Sequence, residues 1–283
     1  MQTFHDIASL QQQLGHWRRA GERIALVPTM GNLHRGHLAL VDSARHHADR
    51  VVATIFVNPL QFGPDEDFER YPRSFDEDCR QLEAAGCDLL FAPAAETLYP
   101  NGQSELTRIH VPGVSEGLCG AHRPGHFDGV ATVVSLLFHI TQPDVACFGE
   151  KDFQQLAVIR KLVRDQHFPI DIIGVPTVRD HDMLALSSRN AYLDSQQRAR
   201  AARLPQLLKQ MSERLGAGET IETVLHEGEQ ILREAGFTPE YLELRNALTL
   251  APAEQASDDA VLLVAARLGQ TRLIDNRRLA SDS

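Results

Sequence analysis

The chain has no basic excess. Its 28 Lys and Arg residues are outnumbered by 38 Asp and Glu, giving a formal charge of −10. A nucleic-acid face needs the opposite balance, so nucleic acid is not expected as a partner, although a local cationic pocket for a small anion stays open. Cysteine is scarce as well: Cys79, Cys87, Cys119 and Cys147 are the only four, and no two stand in a Cys-x-x-Cys pair. That excludes a disulfide framework and points to free thiols in a reducing cytosol. With no paired cysteines and no His-Glu-x-x-His, no protein-held metal is expected. No uninterrupted apolar run is long enough to cross a bilayer. The opening residues Met1-Gln2-Thr3-Phe4-His5-Asp6 have neither a cationic region nor an apolar one, so no signal peptide is expected. A cytoplasmic protein that avoids membranes is the resulting expectation. Internal repeats, low-complexity segments and a Ser–His–Asp pattern are also missing.

What is present is a chain of 283 residues, 43% hydrophobic, enough for one large domain and a smaller one. Apolar runs at residues 23–27, 51–57, 88–91, 145–148 and 171–175 read as buried strands. They alternate with helical patterns at 6–20, 37–48, 75–85, 129–141 and 152–166. Such alternation predicts a Rossmann-like, doubly wound parallel sheet with ligands at the carboxyl ends of the strands. After Asn190 the texture changes. Two amphipathic helices, 195–215 and 221–235, precede strands at 241–245 and 260–266 and a short third at 271–274. This predicts a small α+β domain, with the boundary near residues 176–180, and the tail 279–283 is expected to fray.

The richest segment is Val27-Pro28-Thr29-Met30-Gly31-Asn32-Leu33-His34-Arg35-Gly36-His37, where a strand hands over to a helix. A helix N-terminus offers unpaired N–H groups and partial positive charge, a seat for phosphate. Imidazoles placed there can stabilise charge that grows on a phosphoryl group. Two helix-capping histidines, or half of a zinc site, are the competing readings of the same residues.

Other candidates follow strands in the same way. Lys151, beside Gly149 and Glu150, can reach phosphate oxygens, or can be a surface lysine paired with Glu150 or Asp152. Ser187-Ser188-Arg189 can clasp a polyphosphate, or can be a cap or turn. Gln61 and Gln155 carry amides suited to a ligand with hydroxyls and a carboxylate. Asn58 before Pro59 is either a turn residue or a ligand-binding one. The acidic run Asp65, Glu66, Asp67 and Glu69 is expected to lie solvated in a loop.

The His-x-Gly-His turn is similar to the HIGH-type signature of nucleotidylyl transferases and class I aminoacyl-tRNA synthetases. Four more blocks narrow the likeness: Phe56-Val57-Asn58-Pro59-Leu60-Gln61-Phe62, Arg123-Pro124-Gly125-His126-Phe127, Phe148-Gly149-Glu150-Lys151-Asp152-Phe153-Gln154-Gln155-Leu156, and Leu184-Ala185-Leu186-Ser187-Ser188-Arg189-Asn190. In this order they closely resemble the pantoate–beta-alanine ligase family. The likeness continues more weakly to Val264-Ala265-Ala266 and Arg272-Leu273-Ile274-Asp275-Asn276.

The resemblance implies an ATP-dependent ligase that condenses (R)-pantoate with beta-alanine through a pantoyl adenylate, with Mg²⁺ carried mainly by the ATP phosphates. It implies two units: residues 1–177 binding ATP and pantoate, and residues 178–283 closing over the site. Catalytic roles fall on His34, His37 and Lys151, with His37 as proton donor. ATP contacts fall on Met30, Gly31, Asn32, Leu33, His34, Arg35, Gly36 and His37, on Gly149, Glu150, Lys151 and Asp152, and on Val178, Leu186, Ser187, Ser188 and Arg189. Gln61 would meet pantoate and beta-alanine, Gln155 pantoate. A homodimer is implied too. Three departures from the family pattern stand out: Asp128 replaces a common arginine, Leu137 a common lysine and Met183 a common glycine. Another small-molecule adenylyl- or cytidylyltransferase of the superfamily is the alternative function, and a nucleotide-binding regulator without catalysis the more distant one.

Overall fold

The computed structural model describes residues 1–64 and 66–279; Asp65 of the acidic run and residues 280–283 of the expected frayed tail lie outside them. Strand and helix alternate as β1 (Gln2–Phe4), α1 (Ile7–Arg19), β2 (Ile24–Thr29), α2 (Arg35–His47), β3 (Arg50–Ile55), α3 (Phe75–Ala84), β4 (Leu89–Phe91), α4 (Ala95–Leu98), α5 (Leu118–His122), α6 (His126–Thr141), β5 (Val145–Gly149), α7 (Phe153–Asp165) and β6 (Asp171–Val175). The remainder forms α8 (Ser195–Ala201), α9 (Arg203–Gly216), α10 (Ile221–Glu234), β7 (Thr238–Asn246), β8 (Ala260–Leu268) and β9 (Thr271–Arg278).

The first six strands form one parallel sheet in the order β1-β4-β3-β2-β5-β6. Both faces of it are covered. Ile24 and Leu26 of β2 enter the core on one side, Ala25 and Val27 that on the other, as the two-residue repeat of a strand requires. From β2 the chain moves outward to β3 on one side and later returns to β5 on the other. The β2/β5 gap is therefore the switch point, where such sheets hold ligands beyond the strand ends. The His34–His37 turn follows β2, and Lys151 follows β5.

The last three strands form an antiparallel sheet, β7-β8-β9, whose core with α9 and α10 is separate from the first two and includes Leu184. The doubly wound sheet with a smaller α+β unit is as expected, but several elements differ. The helix expected over 195–215 breaks at Ala202. Pro205, in the first turn of α9, lacks an N–H and clashes with the carbonyl four residues back, so one helix cannot run through. Strand β9 runs to Arg278 rather than ending at residue 274, because its polar second half is occupied by contacts described below. The three-residue β1 was too short and too polar to be read from pattern. Among the described residues no helix is long and apolar enough to cross a membrane.

Candidate active site

Helix α2 begins at its histidines, and both are caps. His34 is the N-cap: its Nδ1 accepts from the Gly36 N–H at 3.1 Å, while the His37 Nδ1 accepts from the His34 N–H at 3.2 Å. The capping expected as one alternative is observed at both rings. Because each Nδ1 is an acceptor, each neutral ring carries its proton on Nε2, and both rings line a cavity of about 240 Å³. The ring centroids are 4.1 Å apart. A Cβ on Gly36 would sit 2.9 Å from the His34 ring, so only glycine leaves this stack room.

Burial holds the His34 pKa down at about 4, helped by the charge of Lys151. Burial and the neighbouring His34 hold His37 at about 3. Both are neutral near pH 7, and a neutral imidazole is a poor acid. At that pH each ring can still offer its Nε2–H as a hydrogen-bond donor. The amides of the turn leading into α2 are not bare either. Besides the ring caps, buried Asp78 of α3 accepts from the N–H groups of Asn32 at 2.9 Å and Leu33 at 2.8 Å. The polar groups this turn offers to the cavity are imidazole N–H groups rather than exposed backbone.

Gln61 lies in the 3-10 turn Pro59–Gln61 that follows β3. Asn58, 1% exposed, fixes that turn: its Oδ1 accepts from Leu60 N–H at 3.2 Å and Tyr99 Oη at 2.7 Å, and its Nδ2 donates to Gly129 O and to Gln61 Oε1, both at 3.1 Å. Asn58 is spent on structure, and it turns the Gln61 amide so that Nε2 faces the cleft beside Met30 Sδ at 3.1 Å. The Gln61 carbonyl is held by His126 Nδ1 at 2.8 Å and Arg123 Nη2 at 3.3 Å. Burial and then Arg123 keep His126 near pKa 4, hence neutral. Gln155 lines the same cleft from α7. Of the departures on α6, Asp128 pairs outward with His110 at 2.9 Å, while Leu137 is buried on the cleft wall.

Residues 178–186 form a hairpin, with Leu186 N–H bonded to Val178 O and Asp180 N–H to Leu184 O. Its turn places Met183 at φ +69°, a left-handed position that suits glycine; Asp180 and Asp182 are clamped by Arg198. Beyond the hairpin, Ser188 Oγ donates to Asn32 O at 3.1 Å, and Arg189 makes a two-pronged pair with Asp67 at 2.9 and 3.2 Å. Arg123 likewise holds Glu66 at 2.7 Å through Nε. The acidic run is thus not simply solvated: Glu66 and Asp67 are engaged, while Glu69 is exposed. Burial pushes both carboxyls up, but their arginines outweigh it and leave both below the ordinary range.

Of the expected nucleotide-binding residues, Met30, His34, Gly36, His37, Gly149, Lys151, Asp152, Val178, Leu186, Ser187, Ser188 and Arg189 line the cleft together. Five do not. Gly31, Asn32 and Leu33 shape the turn, Arg35 projects away to Asp180 at 3.4 Å, and Glu150 stands outside the lining. A second cavity, about 630 Å³, opens between the parallel sheet and the C-terminal unit. It shares Arg123, His126, Lys151, Asp152, Gln155, Ser187 and Arg189 with the first. Sequence reasoning missed Asp78, although it left a signal: Phe75, Asp78 and Leu82 share one helix face, placing a carboxylate on an apolar stripe.

A family model described as pantoate-beta-alanine ligase matches residues 2–278. The chain is 60% identical over 276 residues to a pantothenate synthetase of Chromohalobacter salexigens, covering 98% of each chain. It is 57% identical over 277 residues to one of Pseudomonas aeruginosa, again with 98% of each covered. A crystal structure of pantothenate synthetase from Thermus thermophilus superposes with a TM-score of 0.93 at 48% identity, covering 99% of both chains. A pantoate-beta-alanine ligase from Francisella tularensis, complexed with beta-gamma ATP and beta-alanine, gives 0.83 at 32% identity, with 99% and 98% covered. With near-complete coverage from sequence and structure alike, the chain belongs to the pantoate–beta-alanine ligase family.

Proposed function

We propose that this cleft condenses pantoate with beta-alanine at the expense of ATP, in two steps. A pantoate carboxylate oxygen attacks the α-phosphorus, the bond to the β-phosphate oxygen breaks, and pyrophosphate leaves. The neutral amine nitrogen of beta-alanine then attacks the acyl carbon of the pantoyl adenylate, the bond from that carbon to the phosphate oxygen breaks, AMP leaves, and the proton lost by the nitrogen passes to solvent. The first step needs no proton, because the nucleophile is already a carboxylate. Its barrier lies in charge and alignment, which fixed donors and cations can lower.

The observation that carries this reading is the pair of capped, neutral imidazoles on the same cavity as Lys151. Their Nε2–H groups and the Lys151 ammonium stabilise the transferring phosphoryl group. Ser187, Ser188 and Arg189 hold the polyphosphate, for which Arg189 exchanges Asp67. Gln61 and Gln155 take pantoate, and Gln61 also meets beta-alanine. Mg²⁺ fits as a passenger on the nucleotide. The carboxylates of Glu66 and Asp67 are committed to arginines, while Asp152 stays half-exposed at the cleft; when bound, the metal neutralises phosphate charge. The units 1–177 and 178–283 close on each other about the hairpin, in a homodimeric protein of the cytoplasm.

Two measurements test this. Product analysis should find one free AMP per amide formed; a nucleotide retained on the product would instead support the transferase alternative, which family membership does not favour. Replacing His37 with Ala should cost about 10²–10³ in adenylation rate with the fold retained, the usual loss for one transition-state donor. Near-normal turnover in the folded variant would remove His37 from the mechanism.

A further inference from the structure

The Arg272-Leu273-Ile274-Asp275-Asn276 motif lies outside the parallel sheet that carries the phosphate chemistry, on β9. Two consecutive residues of it reach out of their own sheet in different directions. Asn276 Nδ2 donates to Glu150 O at 2.9 Å and to Lys151 O at 3.0 Å, two carbonyls of the turn that presents Lys151. Asp275, 2% exposed, takes a two-pronged pair from Arg179 at 2.8 and 2.9 Å. Arg179 opens the hairpin that leads to Ser187, Ser188 and Arg189, and it also donates to Met183 O at 3.0 Å. Asp275 Oδ1 further accepts from the Asn276 N–H at 2.8 Å, joining the two contacts.

The turn that Asn276 holds, Glu150–Asp152, is a single 3-10 turn between β5 and α7, and neither it nor α7 behind it has a side-chain cap. Hydrogen bonding in such turns is poorer than in an α-helix, and the ion pair of Lys151 with Asp152 is loose at 3.9 Å. One primary amide offers two N–H groups in a fixed plane, which is what two successive carbonyls require. We propose that Asn276 is a positioning residue for adenylation: from the C-terminal unit it sets the turn carrying Lys151, while Asp275 beside it sets the hairpin on the other wall of the cleft. Two phosphate-binding parts from opposite walls are thereby registered on one strand.

The inference rests on the proposed role of Lys151, and the test separates the two. Lys151 faces the departing pyrophosphate only in the first half-reaction. Asn276→Ala should therefore slow single-turnover adenylation by about 10–100-fold, the scale for a displaced catalytic group. Attack of beta-alanine on supplied pantoyl adenylate should change less than about twofold, and KM for ATP should move little. Asn276→Asp keeps the side-chain volume but turns an acceptor toward two carbonyls, so it should lose at least as much. In a Lys151→Ala background, Asn276→Ala should add almost nothing, because coupled residues are not additive.

Equal loss in both half-reactions, or losses that multiply in the double variant, would overturn the inference and leave Lys151 in place. Normal adenylation in both Asn276 variants would do the same. Normal adenylation in Lys151→Ala alone would instead remove the role of Lys151, and this inference with it.

Discussion

Replacing Gly129 with Ala should damage pantoate handling from a position that no substrate touches. Gly129 lies in α6 where that helix crosses the Pro59–Gln61 turn. A Cβ there would fall 2.3 Å from Leu60 O and 2.8 Å from Gln61 N. Ordinary contacts of this kind exceed 3.4 Å, so turn and helix must separate by about 1 Å. Overpacking on this scale costs about 1–3 kcal/mol, and for a chain of this size that lowers Tm by about 2–5 °C. The same shift strains the 3.1 Å bond from Asn58 to Gly129 O, which aims the Gln61 amide. A misplacement of about 1 Å can cost 10²-fold in rate. Steady-state kinetics should show a raised KM for pantoate and a lowered kcat, while nucleotide affinity, proposed to rest on α2 and the hairpin, should stay near its starting value. A Gly129→Ala protein with an unchanged melting temperature and unchanged pantoate KM would refute this account of Gln61.

Met183→Gly should stabilise the protein. The left-handed backbone at φ +69° costs a non-glycine residue about 1–2 kcal/mol, and glycine returns about 0.4–1 kcal/mol of that through unfolded-state entropy. Because Met183 is 55% exposed, little burial is lost, so a gain of about 0.5–1 kcal/mol remains; a lower melting temperature would contradict it. The pH dependence follows from His34, His37 and His126, whose folded pKa values of about 4, 3 and 4 lie below the ordinary 6.5. The unfolded chain takes up protons first, so stability in denaturant titrations should hold above pH 6.5 and fall as pH drops toward 4. Protonation would keep each Nε2–H but cost each Nδ1 its acceptor role in the caps, so adenylation should show no acid limb at pH 6.5, and one centred there and abolished by His37→Ala would show that the rings titrate normally.

The parallel sheet was legible because its strands are short apolar runs separated by amphipathic helices, and the site could be placed because its motifs follow β2 and β5. Elements of three to five residues, β1, α4 and α5, carry too little periodicity to register. The second half of β9 was hidden by polarity. Asp275 and Asn276 do not look like strand residues until Arg179 and the Lys151 turn are seen opposite them. The acidic run shows the same limit. Composition predicts solvation, and only the fold brings Arg123 and Arg189, 57 and 122 residues away in sequence, onto Glu66 and Asp67. The position of the histidines at a helix start was legible, but their burial and lowered pKa values were not, since these are tertiary facts.

In the proposed reaction pantoate itself is activated on phosphate-binding groups, before the amine takes part and without an acyl group on the protein. Its most direct test is exchange of labelled pyrophosphate into ATP in the presence of Mg²⁺ and pantoate, with beta-alanine withheld. Exchange should depend on pantoate, fall by about 10²–10³ in His37→Ala, and be accompanied by an acyl hydroxamate when hydroxylamine is added. Exchange that strictly requires beta-alanine, or an acyl group found bound to the protein, would contradict it.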